Sequence, residues 1–120
     1  MASIGTQKGL PLAFGMHSAP KDAPAKLLRQ IESEAQAIAV SIKASGFKLA
    51  YVGACIGKSE GYVSRLRSGK RPMPDRLVRP FCAATGTNLL IQYRELQAAL
   101  AESNERREVE RLAEMLRAAA

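Results

Sequence analysis

Residues 53–69 read GACIGKSEGYVSRLRSG, and how they are read decides what kind of molecule this is. The first seven, GACIGKS, have the look of a phosphate-binding loop, a glycine followed at a distance by Gly-Lys-Ser. That loop needs four residues between its glycines, yet only Ala54, Cys55 and Ile56 separate Gly53 from Gly57, and Val52 stands where the first glycine would fall. The missing residue matters because the loop must curl until successive backbone N–H groups converge on one anion. No Val/Ile-rich strand precedes Gly53, and no later apolar strand ends in a magnesium-holding aspartate. A tight turn between two helices fits the same residues better. Gly57 ends the first helix in the left-handed conformation that glycine takes without strain. Ser59 is a good N-cap for the second. Ile56, Val63 and Leu66 are spaced to bury one face of the second helix against the first. Gly53, one turn before Gly57, lets the two approach closely.

Working outward, the chain reads as all-α. Residues 1–24 are punctuated by glycine and proline without a period and read as a flexible arm. From Ala25, the residues Leu27, Leu28, Ile31, Ala35, Ile38 and Ile42 recur at helical spacing until Gly46. That stretch is either one long helix or an extension followed by a core helix. Further helices are expected from about Lys48 to Ile56, from Ser59 to Gly69 and from roughly Pro74 to Thr85. The last carries an awkward interior Pro80. After Thr87 the sequence is rich in Leu, Ala, Glu and Arg, which predicts one or two more helices. No strand pattern and no internal repeat is present.

Composition narrows the function classes. The 120 residues are 47% hydrophobic, enough for one globular domain with a tail. No apolar run is long enough to span a membrane, and no secretory signal is read. Cys55 and Cys82 are too few and too far apart for a disulfide scaffold or zinc site, so a metal, a cofactor and an oxidising compartment are not expected. The expected location is the cytoplasm. The lone histidine, His17, lies in the arm; with no carboxylate pair at suggestive spacing and no nucleophile beside a base, an enzyme is not expected. The net charge of +7 is concentrated: residues 48–79 hold eight Lys/Arg against Glu60 and Asp75, whereas residues 94–120 hold five arginines against six glutamates. A local cationic surplus of that size suits a polyanionic partner.

The stretch LAYVGACIGKSEGYVSRLRSGKR resembles the lambda-repressor-like helix-turn-helix group, which includes phage Cro and repressor proteins and the xenobiotic-response-element regulators. The Gly57 turn, Ser59, Val63, Ser64-Arg65, Leu66 and Gly69-Lys70-Arg71 carry the likeness. The following apolar helix ending in Thr85-Gly86 extends it to roughly residues 34–93. The resemblance implies a bundle of about five helices, with residues 25–93 as the DNA-binding domain and 94–120 as a helical extension. It also implies that residues 59–68 form a recognition helix lying in the major groove of double-stranded DNA. Glu60, Gly61, Ser64, Arg65 and Ser68 would then face the bases, with Arg65 able to pair bidentately with guanine. Lys58, Ser59, Tyr62, Lys70 and Arg71 would meet phosphates, although Tyr62 also suits packing on a neighbouring helix. The chain departs from the group's pattern at Leu49, where a phosphate-binding glutamine is usual, at Gly53, usually alanine, and at Lys58, usually apolar. Lys48 or Lys58 is left to supply the missing phosphate contact.

One such helix reads few base pairs, so a homodimer on a palindromic operator is expected. Leu89, Tyr93, Leu96 and Leu100 form one apolar stripe, and Val109, Leu112 and Leu116 a second; Ser103 and Arg107 break the register between them, which argues against a continuous coiled coil. The two stripes would pack on a partner copy or complete the monomer's own core. The sequence therefore reads as a repressor-type regulator. The alternative is an antitoxin-type DNA-binding protein whose C-terminal helices hold a protein partner.

Overall fold

The computed structural model describes residues 19–119, in which six helices and no strand are present. The helices are α1 (Ala25–Gln30), α2 (Glu34–Ser45), α3 (Leu49–Ile56), α4 (Glu60–Ser68), α5 (Asp75–Thr85) and α6 (Leu89–Ala119). The all-α expectation holds. The open question over residues 25–42 is answered by a break: Ile31 is extended (φ −78°, ψ 125°) yet buried, and Ser33 starts α2 anew as its N-cap. Ser33 Oγ accepts from Gln36 N at 3.1 Å, while Gln36 Oε1 reaches back to accept from Glu32 N at 2.6 Å. One free N–H of the helix start and the N–H of the residue before the cap are thereby satisfied.

Phe81 sits in a core with Ile38, Val52, Val63, Leu66 and Leu90, all 1% exposed or less. Each side chain of that size removed from water stabilises the fold by about 1.5–3 kcal/mol. α2, α3, α4 and α5 and the first turns of α6 enclose this core. Pro80 does not break α5. It lies on the exposed side with Arg76, so the carbonyl it leaves without a helical donor is on the solvent face. No single described helix is long and apolar enough to cross a membrane.

Two expectations are corrected. Residues 19–24, read as the end of a flexible arm, are fixed to the junction between α5 and α6. Lys21 N donates to Gly86 O at 3.0 Å and Asn88 N donates to Lys21 O at 2.8 Å. Gln92 bonds both backbone groups of Ala23, at 2.7 and 3.1 Å. The rest of the arm, His17 included, lies outside the described residues. The C-terminal part, expected as one or two helices, is a single helix of 31 residues, and the boundary drawn at residue 93 falls inside it. Ser103 and Arg107 interrupt the apolar stripe without interrupting the helix, because Ala, Leu, Glu and Arg are strong helix formers whatever they face. Arg106–Glu102 (3.6 Å) and Arg111–Glu108 (2.7 Å) ion pairs run along its exposed surface. At 1.5 Å per residue, such a helix is roughly 46 Å long. The described residues extend over 77 × 27 × 23 Å.

Candidate nucleic-acid interface

The turn between α3 and α4 is built as its sequence implies. Gly57 is left-handed at φ 73°, and Lys58 N donates to Gly53 O at 2.8 Å, closing the end of α3. A Cβ added at Gly53 would lie 2.5 Å from Lys58 O, a backbone atom, so the glycine is required by the turn folding back over it. No strand leads into this turn: α3 does, and Lys58 emerges just beyond it. Ser59 then caps α4, its Oγ accepting from Tyr62 N at 3.1 Å.

α4 has two faces. Val63 and Leu66 are fully buried in the core. Glu60, Gly61, Arg65, Arg67 and Ser68 are exposed, and Tyr62 and Ser64 half-buried. The five residues expected to face bases are therefore all accessible in some degree. A Cβ on Gly61 would lie 3.4 Å from Arg65 Nη1 and 4.0 Å from Ser59 Oγ, which places the guanidinium back over the first turn of α4. These are ordinary contacts, so nothing in the fold itself requires glycine at 61.

After Gly69, Arg71 N donates to Arg65 O at 3.2 Å, turning the chain back alongside α4. This brings Arg71 to Tyr62: Arg71 Cζ lies 4.8 Å from the ring centroid and Lys58 Nζ 4.9 Å. Tyr62 also packs on the core, as the packing reading of this residue expects. Lys70 is exposed beside Arg71, and Lys48 is exposed at the far end of α3, away from the turn. Among the described residues, none of Lys48, Lys58, Arg65, Arg67, Lys70 and Arg71 takes part in an ion pair.

No family model, curated protein or solved structure matches the chain.

The residues expected to pair protomers divide. Leu89 is buried at 1% exposure and Tyr93 packs on the same core, so half of the first stripe is used by the monomer, while Leu96 is half-buried outside that core. Leu100 (48%), Val109 (63%), Leu112 (51%) and Leu116 (73%) are open, joined by Met115, which the sequence reading left out.

Arg94 was missed altogether. Its Nε donates to Glu34 Oε1 at 2.8 Å, Nη1 to Asp75 Oδ1 at 2.6 Å and Nη2 to Met73 O at 2.6 Å. Glu34 Oε2 in turn accepts from Met73 N at 3.2 Å. The hydrogen bond to Glu34 holds the Arg94 guanidinium above its ordinary pKa, against the opposing effect of burial. One side chain thus ties the start of α2, the loop after Arg71, the start of α5 and the base of α6. No local pattern announces it, since its partners lie far away along the chain.

Proposed function

We propose that the chain is a sequence-specific, double-stranded-DNA-binding transcriptional regulator of the lambda-repressor-like helix-turn-helix type. It acts as a repressor, bound as a dimer to a palindromic operator. The observation that supports this reading is the sidedness of α4. One face anchors the helix in the core through Val63 and Leu66, while the other offers polar side chains flanked by cations that form no ion pair with a carboxylate among the described residues. A duplex supplies what that surface lacks, a regular array of negative charge with readable base edges between.

In this arrangement Arg65 pairs with guanine O6 and N7, Glu60 accepts from a cytosine amine, and Ser64 and Ser68 hydrogen-bond to nearby edges. Gly61 brings the helix backbone close to the groove floor. Lys48, Lys58, Ser59, Lys70 and Arg71 neutralise or bond phosphates, fixing register without reading sequence. The distal stripe of α6 pairs two copies so that two recognition helices meet one duplex.

Selection from random duplexes tests the proposal, with a palindrome as the expected product. Arg65→Ala should then cost about 1–3 kcal/mol on the selected site and little on random DNA. Failure to enrich any sequence would remove the regulator reading. The antitoxin-type alternative draws support from the apolar residues open on α6, and copurification of a second small protein would favour it.

A further inference from the structure

Two of the unpaired cations share a single aromatic ring. Lys58 comes from the turn before α4, Tyr62 from its first turns and Arg71 from the loop after it, yet both charges lie within 5 Å of the Tyr62 ring centroid. Tyr62 is half-buried and packed on the core, which fixes the ring from beneath. An exposed cation–π contact is weak, and two like charges held on one ring repel. No carboxylate among the described residues bonds to either cation. The group carries two positive charges that no ion pair among the described residues offsets.

We infer that Lys58, Tyr62 and Arg71 form a preorganised clamp for one backbone phosphate of duplex DNA, the two cations flanking a phosphate oxygen and the phenol O–H donating to it. This rests on the DNA-binding reading and adds to it: the ring, and not the charges alone, decides where the phosphate sits. A free lysine or arginine side chain gives up much rotamer entropy when it is immobilised. Cations already held on a ring surrender less of that freedom on binding, so the clamp gains affinity without a new contact. Because it touches phosphodiester and not bases, it holds α4 in register equally on every sequence.

The test compares wild type with Tyr62→Phe, Tyr62→Leu, Arg71→Gln and the Tyr62→Leu/Arg71→Gln double variant. Each is titrated with a selected operator and with a random duplex over a range of salt, after circular dichroism has shown the variants folded. Tyr62→Leu should weaken both duplexes alike, by about tenfold, and Tyr62→Phe, which keeps the ring, by less. Arg71→Gln should flatten the slope of log affinity against log salt by about 0.9. The double variant should lose less than the product of the single losses, because without the ring Arg71 is no longer placed. Folded Tyr62→Leu binding like wild type, or a double variant losing the full product, overturns the clamp alone. A wild type that binds neither duplex overturns the DNA-binding reading and the clamp with it.

Discussion

The α4 face and the distal half of α6 are both exposed helix surface, and they are opposites in composition. On α4 the apolar residues are buried beneath, and among the described residues the surface cations have no acidic partners. On distal α6 two of the arginines, Arg106 and Arg111, are matched by glutamates one turn away, at 3.6 and 2.7 Å, and apolar residues are left in water. Unmatched charge is satisfied by a polyanion; uncovered Val109, Leu112, Met115 and Leu116 are satisfied by another apolar surface. The same chain thus carries two unfinished surfaces of different chemistry, and each calls for a different class of partner.

Core substitutions sharpen this contrast most. Phe81→Ala should destabilise the helical bundle by about 3–5 kcal/mol in urea unfolding. Leu112→Ala, on the exposed arm, should leave the dilute monomer's stability nearly unchanged. Equal losses would mean that distal α6 folds back on the core in solution. Gly53→Ala comes next: its Cβ would meet Lys58 O at 2.5 Å, so the turn must shift at a cost of about 1–3 kcal/mol. A neutral result there would show that the α3–α4 turn is looser than described.

Leu112→Asp combined with Leu116→Asp addresses the arm directly. Sedimentation should show the wild-type dimer fall to monomer while the midpoint of bundle unfolding moves little. A wild type that already sediments as a monomer would shift the stripe to the antitoxin-type reading. The smallest effect is the most pointed. Gly61→Ala should stabilise α4 by about 0.5–1 kcal/mol, since glycine inside a helix is costly and its Cβ would meet only ordinary contacts. It should weaken operator binding all the same, because the added methyl group separates helix from groove. Tighter folding with unchanged binding would take Gly61 out of the interface.

Legibility along the chain followed the range of the interactions. Gly57, Ser59 and Gly69 mark the limits of α4 because caps act over three or four residues, and the sequence names them. Ile31 concealed the break between α1 and α2, since its burial kept the apolar period running through an extended residue. Ser103 and Arg107 misled in the opposite sense: they end a stripe, and a stripe reports what a helix faces, not where its backbone stops. Arg94 was illegible because its significance lies in Glu34 and Asp75, which only the fold brings to it. The Tyr62 group lay between these cases. Its three members are near in sequence, but the return of Arg71 to the ring depends on the turn closed by the Arg65 carbonyl.

Amide chemical-shift mapping on the full chain during titration with a selected duplex bears most directly on the central claim, that the α4 face is where DNA is met. The account predicts perturbations concentrated on Lys58 to Ser68 and on Lys70 and Arg71, with Val109 to Leu116 unmoved. Perturbations confined to α6, or none at saturating duplex, would contradict it.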